Sequence, residues 1–338
     1  MLSLLLTCLG SLSCAPAQEP TPAPVSTPEE PKLYMRALGV MGTDLEIKVI
    51  DADEAKANKA LDAAVAELQR IEDMMTTWRD SPLNDLNAKA GQGFVEVPEE
   101  LAELVARSLA VAEATHGAFD PTFASVGKLW DFKAIPPKLP SDAEIAEALK
   151  NVGYKRVQVD LEGHRIALPK GTRIGLGGIA KGYGVDRAMA VLLKHGIQNG
   201  IVNAGGDLKA LGTKFGEPWR IAIKHPRKGV KPVAIIPLSN VCLVTSGDYE
   251  RFFMVDGKRY HHILDPRSGR PAVGCISATV LAPDAAFADA LATAMVVLGP
   301  TEGLKVIEAI PRVEALLVDL DGNVFRSSGL KEDQAKAE

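Results

Sequence analysis

The chain is short of the residues that announce several protein classes. Only 5% of its 338 residues are aromatic, and the formal charge is −5, with no block of Lys or Arg interleaved with aromatics. That gives no electrostatic footprint for nucleic acid. There are four cysteines, and none lies in a Cys/His spacing that would hold zinc. Cys8 and Cys14 sit in the leader; Cys242 and Cys275 sit in strand-like apolar runs. The latter two read as buried thiols, with a single bridge as the alternative, and not as a disulfide framework. No internal repeat recurs at a fixed period. No Pro-rich linker follows residue 31, so any internal division is intimate.

The first eighteen residues carry no charged side chain, and Leu2–Leu12 is too short an apolar run to span a bilayer. It ends at Ser13-Cys14-Ala15-Pro16. Residues 1–14 read as an export signal, with Cys14 as a candidate lipidated first residue of the mature chain; a simple cleaved signal is the alternative. Residues 15–31 carry prolines at 16, 20, 22, 24, 28 and 31 and read as a tether with a reach of at most about 50 Å. The folded part is expected over 32–330, with a loose charged tail at 331–338. The expected placement is the outer, periplasmic side of an inner membrane, lipid-anchored.

Within 32–330, strands and helices mix without strict alternation, which predicts an α+β fold with antiparallel sheets and packed helices. Two strands broken at Met41-Gly42-Thr43 precede a helix from about Asp53 to Met75. A second helix is expected from Pro98 to His116, stopped by Gly117. Ser141 and Glu144 form a capping box. A helix over Ala180–His195 follows a glycine-rich turn. A hairpin is expected across Asp256-Gly257. Two helices, Phe287–Leu298 and Glu302–Ile310, precede the last strands.

The glycine-rich turn Gly175-Leu-Gly-Gly-Ile-Ala-Lys181 brings bare backbone to a helix N-terminus, where anions are favoured. Downstream, Asp289 is the only charge in the apolar helix 287–298 and Thr293 its only other polar side chain. Four apart, they share one face. An unpaired carboxylate there is costly to bury, so the pair points to a hard cation such as Mg²⁺. The alternative is that Asp289 caps the helix. His262, before Asp265-Pro266, is a candidate general base or a structural histidine. Asp120 either grips a nucleotide or caps a loop. Trp78 is either core or a stacking platform. Lys181 either pairs with phosphate or is solvated. Thr245-Ser-Gly-Asp-Tyr249 is either a polar loop that places hydroxyls and amides near phosphate or an ordinary turn.

Taken in order, Met41-Gly-Thr43, Gly117-Ala-Phe-Asp120, Gly177-Gly-Ile-Ala-Lys-Gly182, Asn203-Ala-Gly-Gly-Asp207, Thr245-Ser-Gly247, His262-Ile-Leu-Asp-Pro266 and Asp289 with Thr293 resemble the ApbE family of FAD:protein FMN transferases. The resemblance runs over residues 33–328. It implies a T-fold-like domain in which FAD binds with Mg²⁺ and FMN passes to a Thr or Ser hydroxyl of a target protein, releasing AMP. It further implies that Met41, Trp78, Ala118, Phe119, Asp120, Lys181 and Leu264 line the FAD site. The Gly178 carbonyl, Asp289 and Thr293 would hold the metal, and His262 would be the base. Acceptors would be subunits of membrane redox complexes. The family's usual Asp-Leu-Gly reads Gly175-Leu-Gly177 here, which removes one anchor from the nucleotide site. An FAD pyrophosphatase and a non-enzymatic exported flavin carrier are the alternatives.

Overall fold

The computed structural model describes residues 30–227 and 232–330. The export signal, Cys14, nearly all of the 15–31 tether and the 331–338 tail lie outside the described residues.

One eight-stranded sheet organises the molecule. Its strands are β1 (Lys32–Val40), β2 (Thr43–Asp51), β3 (Asn199–Ala204), β4 (Asp207–Leu211), β5 (Cys242–Gly247), β6 (Ser277–Ala282), β7 (Glu314–Val318) and β8 (Val324–Arg326). They lie side by side in chain order, and every neighbouring pair is antiparallel. Antiparallel pairing suits this order because no strand needs a crossover to reach its neighbour.

Four longer helices interrupt the meander: α1 (Glu54–Met75), α2 (Glu99–Ala114), α3 (Ala180–Lys194) and α4 (Ala285–Glu308). Period-2 alternation divides each strand between two faces. In β7, Leu317 faces the helices while Leu316 and Val318 face the opposite side. Leu45, Ile47 and Val49 of β2 and Val244 of β5 meet Leu61, Leu68, Val185, Leu192 and Leu291 in the main core. The other face is covered by the hairpin Trp219–Ile223/Ala234–Leu238.

Local chemistry explains the helix ends. Asp53 caps α1 by accepting from the Lys56 N–H (2.9 Å), and the capping box at Ser141/Glu144 forms as expected. Gly117 (φ 79°) closes α2, its N–H donating to the Ala112 carbonyl (2.8 Å). α4 is broken at Gly299 (φ 72°), just ahead of Pro300, where the two predicted helices were separated. With a mean hydropathy of 1.4, α4 is long and apolar enough to cross a membrane, yet it lies in the middle of the core, with almost every residue from Ala285 to Val297 buried. Sequence patterning did not find the helix Pro82–Ala88 or the strand Phe94–Glu96 that pairs with Arg165–Ala167. Both are too short to show a period.

Cys242 and Cys275 are buried and free, and burial pushes both thiols up to about 12. The two-thiol reading holds and the bridge does not form.

Candidate active site

The polar motifs converge at one end of the large sheet. Met41 (φ 53°) and Gly42 (φ 70°) make the two-residue turn from β1 to β2. Gly205 (φ 62°) and Gly206 (φ 97°) make the corresponding turn from β3 to β4. Positive φ at both central residues is what a tight hairpin turn requires. Glycine meets that at no steric cost, whereas Met41 is held there because its N–H donates to Glu72 Oε2 (2.9 Å). The turns touch: a side chain on Gly205 would collide with Thr43. This geometry sets Asp207 as the first residue of β4, beneath the helices.

α3 delivers Lys181 to the same place, and α4 delivers Asp289 and Thr293. The helices approach so closely that a Cβ on Gly182 would collide with the Ala285 carbonyl. Asp186 fastens the crossing: its Oδ2 accepts from the Ala285 and Ala286 N–H groups (2.8 and 3.0 Å), and its Oδ1 from Lys209 (2.6 Å).

Asp289 is not a cap. Asp284 caps α4, accepting from the Phe287 N–H (2.7 Å), and Asp289 lies a turn further in, 1% exposed. Its Oδ2 accepts from the Gly182 N–H (3.2 Å), and its Oδ1 lies 3.6 Å from Lys181 Nζ. Lys181 also pairs at close range with Asp207 Oδ2. Burial opposes the lysine's charge, but the two carboxylates outweigh it and hold its pKa above the ordinary value. Burial, then the neighbouring Asp289 charge, pushes Asp207 well upward. Its Oδ1 is buried with no hydrogen-bond partner. Thus one cation serves two buried carboxylates, and an oxygen is left over.

Thr293 is partly exposed in an otherwise buried stretch of helix. A Cβ on Gly178 would lie 3.1 Å from Thr293 Oγ1 and 3.3 Å from the Phe119 ring, so the missing side chain keeps a small cradle open. Among the described residues no three His, Cys, Asp or Glu side chains form a metal-ligand group. The donors at hand are carboxylate, hydroxyl and backbone carbonyl, a set suited to a hard cation. Two carboxylates around one ammonium fit the same ion.

His262 reaches this end of the sheet through Arg251. The Arg251 carbonyl accepts from the His262 N–H (3.0 Å) and lies 3.3 Å from its Nδ1. The Arg251 guanidinium donates to the Gly42 carbonyl (3.1 Å). Burial, with the Arg251 charge next, lowers the imidazole to about 4, and Lys181 adds to the effect. The ring is therefore neutral at pH 7. Neighbouring His261 points the other way, into the protein, with Nε2 2.9 Å from the Ala272 carbonyl.

The remaining predicted residues are placed differently. Ala118 and Phe119 are buried, and Phe119 abuts Gly178. The Asp120 carboxylate turns inward: Oδ1 accepts from the Thr122 N–H (2.7 Å) and hydroxyl (2.6 Å), and Oδ2 from the Tyr154 N–H (2.9 Å). It caps the turn that fixes Phe119. Trp78 stands 63% exposed on the loop after α1. Leu264 is buried in a satellite cluster with Val126, Trp130 and Phe253. Thr245 bonds Thr279 across the strand pair (2.9 Å). At Gly175, a Cβ would lie 2.9 Å from Ala124 Cβ, so the fold here leaves no room for a side chain at the position where the resemblance implied an Asp. Sequence reasoning gave no role to Asp207, Arg251 or Glu72. A carboxylate directly after Gly-Gly and at the head of the short strand Asp207–Leu211 was the available signal for Asp207.

Comparison with known proteins identifies the family. The sequence pattern of the ApbE family matches residues 41–317. The FAD:protein FMN transferase of Treponema pallidum is 35% identical over 316 residues, covering 88% of this chain and 87% of that protein. The crystal structure of the ApbE protein of Thermotoga maritima superposes with a TM-score of 0.83 at 38% identity, covering 90% of this chain and all of that one. The apo flavinyl transferase ApbE of Pseudomonas stutzeri gives a TM-score of 0.81 at 30% identity, covering 91% and 99%.

Proposed function

We infer the function from the premise that the chain belongs to the ApbE family: it is an FAD:protein FMN transferase, an enzyme that takes FAD as substrate and attaches FMN to a target protein. The observation that carries the site assignment is the buried Lys181/Asp207/Asp289 cluster, short of one cation, beside Thr293 and the Gly178 backbone.

Gly178 through its carbonyl, Asp289 and Thr293 would hold Mg²⁺, which would supply a Lewis acid to the FAD pyrophosphate. Lys181 turns its ammonium toward the phosphates. Phe119, with Ala118 behind it, forms a wall of the site, and Asp120 holds that wall by capping it. Trp78, exposed on the loop after α1, would stack on the flavin nucleotide, while Met41 and Leu264, buried in the core and in the satellite cluster, would back the site from within. His262, neutral at pH 7, takes the proton from a Thr or Ser hydroxyl of the acceptor. The hydroxyl oxygen bonds to the FMN phosphorus as the bond to the AMP oxygen breaks, and AMP leaves. The leader residues 1–14, Cys14 and the tether support an enzyme exported to the periplasmic face of the inner membrane and lipid-anchored there. Its acceptors would be subunits of membrane redox complexes.

Purified protein, FAD, Mg²⁺ and a candidate acceptor domain should yield a fluorescent acceptor band on a denaturing gel. FMN and AMP without a labelled acceptor would mean a pyrophosphatase. Intact FAD would mean a carrier.

A further inference from the structure

Asp207 belongs to none of the roles above, and it is a buried carboxylate with one oxygen left without a partner. It is 1% exposed, one oxygen is bonded to Lys181, and the other has neither partner nor water access. A buried oxygen without a donor is destabilising, and native interiors contain few. A purely structural ion pair would have closed this position with a hydroxyl or amide. The second carboxylate, Asp289, lies 3.6 Å from the same ammonium and belongs to the opposite helix. The lysine is 25% exposed on a flexible four-carbon stem, so its head can shift between the two carboxylates without repacking the core.

We propose that Lys181 is an internal substitute for the divalent cation, and that Asp207 is a positioning residue that receives Lys181 when a metal displaces it from Asp289. This rests on the assignment of Gly178, Asp289 and Thr293 as the metal-holding set. Without metal, the ammonium is shared and keeps two buried carboxylates tolerable. With metal, Asp289 is engaged by a stronger charge, and the like-charged ammonium is drawn onto Asp207. Held there, it is at the edge of the site and facing the substrate phosphates. Metal affinity is therefore set by a competition inside the protein, and Asp207 decides which side of it Lys181 takes.

The test is a Mn²⁺ titration of the full chain without FAD, followed by electron paramagnetic resonance of the free ion. Lys181→Met removes the competitor and should tighten Mn²⁺ binding roughly tenfold, within the usual coupling of residues that share one network. Asp207→Asn removes the acceptor, leaves the ammonium on Asp289 and should weaken binding about tenfold. The double variant should bind as tightly as Lys181→Met alone, because Asp207 acts only through the lysine. Equal or weaker binding by Lys181→Met overturns the proposal. So does an Asp207→Asn penalty that persists in the double variant, since Asp207 would then contact the metal itself. Lys181→Gln repeats the titration if the Met variant fails to fold. Wild-type protein that flavinylates an acceptor yet binds no Mn²⁺ would remove the metal assignment as well, whereas binding indifferent to Lys181 removes this proposal alone.

Discussion

Helix α3 carries two ionic clusters on different faces, and they are built on opposite principles. On the outer face, Arg70 bonds Glu67 (2.8 Å) and Glu100 (2.7 Å), Arg187 bonds Glu67 (3.0 Å), and the Tyr183 hydroxyl donates to Glu100 (2.6 Å). Two cations meet two carboxylates, all of them part-exposed, and the arginine hydrogen bonds hold Glu67 down at about 2. On the inner face, Lys181 meets Asp207 and Asp289, which are nearly inaccessible to solvent. The outer cluster is balanced and cheap. The inner one is unbalanced and costly, with an unused oxygen. A fold has no structural reason to keep the second arrangement. Retained deficits of charge and hydrogen bonding mark the places where a ligand completes the structure.

The largest consequence follows from removing a charge at the deficit. Asp289→Asn preserves size and leaves one cation facing one anion. Flavin transfer should fall by about 10²–10³-fold or more, the scale expected when a group stabilising transition-state charge is lost. The metal-free protein should become no less stable, and its thermal midpoint should hold or rise, as is usual when a strained site is relieved. Gel fluorescence reads the first and a melting curve without metal reads the second. A variant that transfers flavin at the wild-type rate in limiting Mg²⁺ would dissolve the contrast between the two faces.

His262 sharpens the comparison with a smaller effect. Its replacement by Ala should lower turnover by roughly 10²-fold, the lower end of the usual contribution of a positioned base, with FAD affinity changing far less. The wild-type rate at saturating substrate should be flat from pH 7 down to about 5 and be lost as pH falls through about 4, where the ring protonates. The same depressed value makes the unfolded chain the better proton acceptor below its ordinary 6.5. Its stability contribution is thus complete above about 6.5 and disappears toward 4. A rate lost near 6.5 instead would show that the imidazole is not buried against Arg251 in the working enzyme.

Much of this was legible in the sequence, for a physical reason. Periodicity carries over long elements, so α1, α3 and both halves of α4 were readable, whereas the order of strands in the sheet was not, because most of its neighbours are joined through long helical or irregular segments. The Asp289/Thr293 pair stood out because an apolar helix makes a lone charge conspicuous. The Asn203–Asp207 motif was visible as a polar island, but Asp207 itself received no role, because the segment looks like an ordinary Gly-Gly hairpin turn; its strain exists only once α3 and α4 close over it. Arg251 and Glu72 act through backbone groups of distant segments, which leave no local pattern. Gly175 was read as a lost anchor, a matter of affinity. The fold adds that Ala124 and Phe123 occupy the space a side chain would need.

That addition gives the third effect in size. Gly175→Asp installs the residue that the family resemblance implied there, but it forces a Cβ to 2.9 Å from Ala124. The cost should be about 1–3 kcal/mol of stability, the normal range for overpacking, read as a lowered denaturation midpoint. Gly175→Asp combined with Ala124→Gly should recover part of that loss and bind FAD more tightly than the wild type. A single variant as stable as the parent would mean that the segment 121–124 yields easily, and that the anchor was lost for no steric reason.

The smallest effect is expected on the outer face of α3. Arg70→Met removes the centre of the balanced network and leaves Glu67 with Arg187 and Glu100 with Tyr183. The remaining carboxylates keep partners and water, so the loss should stay below about 1 kcal/mol, as for exposed pairs generally. It should shrink further in salt, since a Debye length of about 3 Å at 1 M screens exposed charges. Mn²⁺ affinity and flavin transfer should not change, because the helix is fixed on its other side by Gly182 against Ala285 and by Asp186 beneath α4. A tenfold change in metal affinity from Arg70→Met would mean that the two clusters communicate along α3. Charge balance on one face would then be part of how the deficit on the other is maintained.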